Sequence, residues 1–491
     1  MFEKIQQLKA MLSKFDWQNS ILFATDSYKY SHFAQYPKDT DYIYSYIEAR
    51  KESDYSDVVV FAGIQGAVNK YLTHPVTAFE VEAAALFAEL HGVPFNYDGW
   101  MEIVNKFNGY LPIAIEAVPE GTVVPVKNVL ATVCNTVKGF GWVVGWCEPV
   151  LLRAAWYKST VATYSAVMKK EIISGYRKSG VPENDIRQLI SFAHHDFGSR
   201  GVSSGESAGT GGSGHAMSSM GSDTIEGVIH TIMNFEVSSM PCYSVPAAEH
   251  STVTIYLRDN ELEAIKNMIN TFGDKYKIIS FVADSYDLMK NIEMVVSLKD
   301  LIVEKGVKFV IRPDSGDPKE SILKVFRNLY SMNGLVSNRA TNKWELPDWL
   351  GVLQGDGICI ETVRAIVDAL TSVSFSTKGL VFGQGGKLLQ DHTRDDFGWA
   401  MKCSFAIVDG NDRDVYKDPI TDSNKKSKKG KMKLIRPNGK YMTILSSEDK
   451  QYSIYHTELK LMYSCDERKI PVHIVQNWND IRQRVDEFIF S

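Results

Sequence analysis

Between residues 308 and 386 the hydrophobic pattern repeats a short unit in which an apolar run ends in a small polar loop. Lys308-Phe309-Val310-Ile311 leads into Arg312-Pro313-Asp314-Ser315-Gly316-Asp317-Pro318, Val352-Leu353-Gln354 into Gly355-Asp356-Gly357, and Gly379-Leu380-Val381-Phe382 into Gly383-Gln384-Gly385-Gly386-Lys387. Short continuous apolar runs are the mark of parallel strands buried on both faces, and in barrels of alternating strand and helix the chemistry sits in the loops after the strands. Residues 188–193, running into His194 to Gly201, and residues 277–283, running into Asp284 to Asp287, add two more such units. The pattern predicts an α/β barrel with these five loops on one rim.

Other stretches give weaker signals. Residues 21–24 read as a strand, and Tyr42, Tyr44 and Tyr46 alternate as on a strand with one aromatic face. Residues 78–92 and 151–178 read as helices, and 111–136 as a meander. Phe2, Ile5, Leu8, Leu12 and Phe15 recur at roughly helical spacing, which predicts an amphipathic helix packed on its own protein. These shifts divide the chain into a mixed α+β part over 1–150, the barrel over 151–394, and a return to the first domain over 395–491.

Composition narrows the class. A 491-residue chain with 44% hydrophobic and 23% charged residues is an ordinary globular one, too long for a single compact core. The net charge of -5 gives no general pull toward nucleic acid or an anionic membrane. Neither a secretion signal nor a membrane span is read, since the apolar run 139–147 is too short to cross a bilayer. The six cysteines show no C-x-x-C pair and are expected to be reduced thiols of a cytoplasmic protein. The dense basic run from Lys425 to Lys431 is expected to be a solvated loop or a means of concentrating anions.

The rim loops differ in chemistry. Two supply carboxylates, which suit hydroxyls or a divalent ion, and the third supplies glycines, whose backbone N–H groups can approach an anion. A sugar carrying phosphate satisfies all three. Gly209 to Gly214 formally matches G-x-G-x-x-G, but no apolar strand precedes it, so a dinucleotide site is not expected. His194 and His195 are strand neighbours on opposite faces, which disfavours a shared metal, and no metal site is expected.

The motifs A-T-D-S-Y-K (24–29), H-D-F-G-S-R-G-V-S-S (195–204), Y-S-V-P-A-A-E-H-S-T (243–252), D-S-Y-D (284–287), I-R-P-D-S-G (311–316), Q-G-D-G (354–357) and L-L-Q-x-x-T-R-D (388–395) occur in this order. Through them the chain resembles the nicotinamide phosphoribosyltransferases, enzymes of NAD salvage. The resemblance implies an irregular α/β barrel with a second α+β domain built from both chain ends. It also implies a homodimer with shared active sites, joining nicotinamide to 5-phosphoribosyl 1-pyrophosphate with Mg²⁺.

Carried over by position, Phe197 is the ring that stacks on the pyridine, with Tyr28 of a second subunit on the other face. Asp223 accepts from the amide N–H. Arg200 and Arg312 hold pyrophosphate, Asp314, Gly355 and Asp356 the ribose, and Gly385 and Gly386 the 5′-phosphate, with Arg394 and Lys402 reaching it from the partner chain. His250 is the histidine that ATP phosphorylates, and Asp26, Ser280 and Asp284 complete the substrate-contacting set.

Taken alone, Asp223 also fits a helix N-cap, His250 a buried histidine and Phe197 a core residue. Four positions depart from the family pattern: Gly351 in place of Arg, Ala400 in place of Ser, and, in the glycine loop, Gln384 in place of Ser and Lys387 in place of Gly. Two side chains expected around phosphate are thereby missing, and Lys387 is expected to replace part of that charge. A nicotinate-specific enzyme of related fold and a non-catalytic binding protein on the same scaffold stand as alternatives.

Overall fold

A computed structural model describes residues 1–420 and 426–491, which fall into two compact units. The first comprises 1–163, 234–236 and 393–485, and the second 164–233, 237–392 and 486–491. The boundary lies inside the 31-residue helix Glu148–Lys178, and the last six residues group with the second unit.

The first unit is built on a seven-stranded antiparallel sheet in the order Asn411–Asp414, Ala400–Val408, Thr40–Glu48, Val129–Asn135, Ile113–Ala117, Lys460–Ser464 and Val472–His473. Both ends of the chain contribute, as the resemblance implies. Thr40–Glu48 is interior to the sheet, and the expected single aromatic face gives way to burial of every residue from Ile43 to Glu48.

The predicted helix near 78–92 is Ala78–His91, started by a Thr77–Glu80 capping box and stopped by Gly92 at φ 82°. The N-terminal helix spans Phe2–Leu12 and buries none of its residues fully. Residues 21–24 form turns, not the expected strand. Residues 234–236 join this unit through a buried polar knot. Lys158, wholly enclosed, has its ammonium 3.3 Å from Glu120 and 4.3 Å from the Phe235 ring centroid.

The second unit is the barrel. Six parallel strands lie in the order Gly221–Ser222, His194–Asp196, Leu380–Gln384, Leu350–Gln354, Lys308–Arg312 and Ile278–Val282. The ring closes through residues 243–248, which bridge Gly221 at Tyr243 and Ser280 at Ala247, both in parallel. The five expected units are therefore six strands and an irregular seventh stave. Gly221–Ser222 and 243–248 escape notice because each is too short, or too rich in Pro and Ala, to show an apolar run.

One strand is displaced. Residues 188–193, read as a strand, continue the helix Glu183–Leu189 and a 3-10 turn, and the strand is His194–Asp196. The glycine-rich stretch is the helix Gly205–Ala216. It lies so close to the helix Ile225–Asn234 that a Cβ on Gly212 would sit 2.9 Å from the Gly227 Cα. Those glycines serve helix contact, so the dinucleotide pattern carries no nucleotide site.

Candidate active site

Strand ends and their loops set the geometry of the barrel rim. Phe197 follows the strand His194–Asp196 and anchors its N–H on the Gln384 carbonyl at 2.8 Å. Its ring covers Gly383, where a Cβ would come within 2.1 Å of it. Beyond it, the turn carrying Arg200 touches the glycine loop: a Cβ on Gly201 would lie 2.4 Å from the Gly386 Cα. Arg200 and Lys387, one residue on either side of that contact, are both exposed.

Beneath this corner Asp196 is buried and takes the Gly198 N–H at 2.7 Å on Oδ1, while its carbonyl takes the Asp223 N–H at 2.9 Å. Burial raises its carboxyl to about 6. Asp223 is exposed, and its Oδ1 accepts the Ser244 hydroxyl. It does not cap the helix that follows: that helix starts at Ile225, so the cap position falls on Thr224. His195 donates Nε2–H to the Phe192 carbonyl at 3.0 Å, and burial lowers its affinity for a second proton against the pull of Asp223.

His194 points the other way, with its Nε2–H 3.1 Å from Gln384 Oε1 and burial pushing its pKa down to about 3. The two histidines thus face different surroundings. Among the described residues no group of three or more His, Cys, Asp or Glu is placed to hold a metal.

On the opposite side of the ring the carboxylates gather. Arg312 Nη2 donates to the Ala248 carbonyl at 3.0 Å, and its buried Nε has no hydrogen-bond partner among the described residues. Asp314 lies against Gly355, where a Cβ would meet its Oδ1 at 2.7 Å. Burial raises the Asp314 pKa, with Arg312 pulling it back and Asp284 and Asp356 adding to the rise.

Asp284 accepts the Asp314 N–H at 3.0 Å and the Ser315 hydroxyl on Oδ2, and its Oδ1 is 3.1 Å from His250 Nε2. Burial works to raise its pKa, but these bonds outweigh burial and the net direction is down. His250 is half-exposed, not a buried core residue. Ser280 Oγ is buried and unpartnered among the described residues. Phe197, Arg200, Asp223, His250, Ser280, Asp284, Arg312, Asp314, Gly355, Asp356, Gly385 and Gly386 thus all belong to this one ring of staves or its loops.

Asp26, Tyr28, Arg394 and Lys402 belong to the first unit. Tyr28 stands 58% exposed on the 3-10 turn Ser27–Ala34, which Asp26 precedes. Lys402 donates to the Met401 carbonyl at 3.0 Å. Desolvation lowers its pKa; Glu148 opposes this, and Arg50, Arg394 and Lys29 lower it further. This is a cationic cluster with one carboxylate, and Lys29 already holds that carboxylate at 2.8 Å.

Arg50 and Lys29 were not among the expected residues, nor were Ser244 and Asp196. Ser244 and Asp196 sit inside recognised motifs, directly beside Tyr243 and Phe197, whereas nothing along the chain marks Arg50.

The departures resolve unequally. Gly351 is the second residue of its strand, roughly 13 Å of extended chain before Gly355. Lys308 Cε would lie 3.1 Å from a Cβ there, so any side chain at 351 would crowd Lys308. Ala400 opens a strand and is buried against the sheet. In the basic run Lys426, Lys428 and Lys429 pair with Asp418, Glu48 and Asp414, which leaves little free charge for nucleic acid; Lys425 lies outside the described residues.

The profile of the nicotinate phosphoribosyltransferase family matches residues 192–464, and that of the nicotinamide phosphoribosyltransferase N-terminal domain residues 20–115. Nicotinamide phosphoribosyltransferase of Xanthomonas campestris is 39% identical over 437 residues, covering 88% of this chain and 91% of that one. The Acinetobacter baylyi enzyme of the same name is 30% identical over 473 residues, with the same coverage.

Among solved structures, nicotinate-nucleotide pyrophosphorylase of Pyrococcus furiosus superposes with a TM-score of 0.61 at 15% identity, covering 95% of each chain. Human nicotinic acid phosphoribosyltransferase superposes at 0.54 and 14% identity, covering 94% of this chain and 93% of that one; both are likenesses of fold. With a family profile spanning more than half of its length and a relative 39% identical over most of it, the chain belongs to the nicotinate phosphoribosyltransferase family.

Proposed function

We propose that the protein transfers the phosphoribosyl group of 5-phosphoribosyl 1-pyrophosphate to nicotinamide, forming nicotinamide mononucleotide and pyrophosphate in NAD salvage. The observation that carries this reading is Asp223, an exposed carboxylate at the rim next to Phe197, steadied by Ser244 and ready to accept an amide N–H. The relatives at 39% and 30% identity bear the name of that activity.

The residues divide the chemistry. The bond from C1′ to pyrophosphate breaks as the pyridine nitrogen lone pair forms the new C1′–N bond, and no proton has to leave that nitrogen. Arg200 and Arg312 meet the charge that grows on the leaving pyrophosphate, where fixed donors act most strongly. Mg²⁺ is taken as entering with the pyrophosphate substrate. Asp314, Gly355 and Asp356 orient the ribose, and Gly385 and Gly386 present backbone N–H groups to the 5′-phosphate. An ionised Asp223 about 4 Å from a nicotinate carboxylate repels it by roughly 4 kcal/mol at an effective dielectric near 20, or about a thousandfold.

A second copy of the chain completes the site in this reading, supplying Tyr28, Arg394 and Lys402. In support, Ile225, Ile229, Ile232 and Met233 form an exposed apolar stripe on the helix that follows Asp223. ATP coupling through His250 belongs to the same reading. Because a carboxylate only accepts, His250 carries its hydrogen on Nε2 toward Asp284 and keeps the Nδ1 lone pair for the γ-phosphate. A cytoplasmic location is consistent with six free thiols, and among the described residues no helix is long and apolar enough to cross a membrane.

The test is pyrophosphate release with Mg²⁺ and phosphoribosyl pyrophosphate, comparing nicotinamide with nicotinate, each with and without ATP. Nicotinamide is expected to win by orders of magnitude and ATP to stimulate. A preference for nicotinate would overturn the substrate assignment.

A further inference from the structure

Asp284 divides its carboxylate between two parts of the barrel rim. Oδ1 meets His250 Nε2 at 3.1 Å, and Oδ2 takes the Asp314 N–H at 3.0 Å together with the Ser315 hydroxyl. The side chain is 8% exposed, so protein groups, not water, hold its orientation. A second strut runs alongside: Arg312, from the same loop as Ser315, donates to the carbonyl of Ala248, two residues before His250. The loop assigned to ribose and pyrophosphate is therefore tied twice to the segment that carries the histidine. Ser315 is the only side-chain hydroxyl in the first of these ties.

We propose that Ser315 is a positioning residue: through Asp284 it couples phosphorylation of His250 to the loop of Arg312 and Asp314. The proposal rests on the ATP-coupled reading above. In loading, His250 Nδ1 attacks the γ-phosphorus of ATP, the N–P bond forms, and the bond to the bridging oxygen breaks with its electron pair leaving on ADP. The Nε2–H stays in place, so the loaded ring carries a positive charge opposite Asp284. In unloading, water attacks phosphorus, the N–P bond returns its electron pair to Nδ1, and phosphate leaves with the water-derived proton.

A carboxylate held from one side by two donors can stabilise the charged ring in a single orientation. With the Asp314 N–H alone it can turn away. Movement of the Arg312 to Ser315 loop on binding its ligands would reach His250 along this path, and phosphate on His250 would reach the loop along it in return, since coupling between two sites is reciprocal.

The experiment measures ADP and nicotinamide mononucleotide together, with saturating nicotinamide, Mg²⁺ and phosphoribosyl pyrophosphate, in wild type, Ser315→Ala and Ser315→Thr. Phosphohistidine is followed by ³¹P NMR. In Ser315→Ala the ADP formed per mononucleotide is expected to rise, or phosphohistidine to fall, by about tenfold, the size expected for one hydrogen bond to a charged group. Ser315→Thr keeps the hydroxyl and should restore the wild-type ratio. A wild-type ratio and wild-type phosphohistidine in Ser315→Ala would overturn the proposal while leaving the ATP-coupled reading intact. Absence of ATP stimulation in the wild type itself would refute that reading, and this proposal with it.

Discussion

Two neighbouring carboxyls at the rim act in opposite ways, and each leads to a prediction. Asp223 is solvated and can repel an acid. Asp223→Asn should therefore lose most of the discrimination against nicotinate, by up to about a thousandfold in the ratio of kcat/KM values, while nicotinamide turnover falls far less.

Asp196 is buried, and its pKa rises from the usual 3.8 to about 6. The folded state thus binds this proton more tightly than the unfolded chain. Stability from this group is fully present below about pH 4 and is lost as pH rises to about 6, about 3 kcal/mol in all. Asp196→Asn retains an oxygen for the Gly198 N–H and does not ionise. Its Tm should exceed that of wild type at pH 7.5 and approach it at pH 4 to 5, which thermal melts across that range would check.

At the scale of elements, the strand Leu380–Gln384 does more than supply a glycine loop. Its Gly383 underlies the Phe197 ring, its Gln384 carbonyl holds the Phe197 N–H, and its Gln384 side chain links His194 to the Tyr164 hydroxyl at 3.2 Å. Gly383→Ala would drive a methyl group to 2.1 Å from the ring, and overpacking of this kind costs about 1–3 kcal/mol. The expected outcome is a rise of about tenfold or more in the KM for nicotinamide, with a smaller change in the KM for phosphoribosyl pyrophosphate. Equal changes in both would show that Phe197 does not seat the pyridine.

At the scale of the whole molecule, the expected residues sort between units. Tyr28, Arg394 and Lys402 lie in the unit made from both chain ends, and the catalytic loops in the barrel. If a second copy completes each site, Arg394→Ala and Asp314→Ala are each inactive alone. Co-refolded, they should recover activity up to about a quarter of wild type, since about half of the dimers are mixed and each carries one intact site. Ile229→Lys, in the middle of the apolar stripe, should shift the protein toward monomer in sedimentation and lower activity in parallel.

What could be read along the chain was whatever leaves a local mark. The apolar runs at 308–311, 352–354 and 379–382 mark strands, because parallel strands buried on both faces are mostly apolar. Their loops are recognisable because turns and anion contacts call for particular residue types. Residues 188–193 misled for the same reason, since a buried helical turn shows the same apolar run as a strand.

Contacts made between neighbouring staves leave no such mark. Ser244 on Asp223, Ser315 on Asp284 and Lys308 over Gly351 join residues 21 to 43 positions apart. Arg50, which lowers the proton affinity of Lys402, is more distant still. The sequence by itself determined the barrel class, the family motifs and most of the residues assigned to the site. Only the tertiary structure decided that 243–248 closes the ring, that burial raises the Asp196 pKa, and that Asp284 stands between His250 and the Ser315 loop. Burial and through-space charge depend on which distant segments pack together, and no local pattern records that.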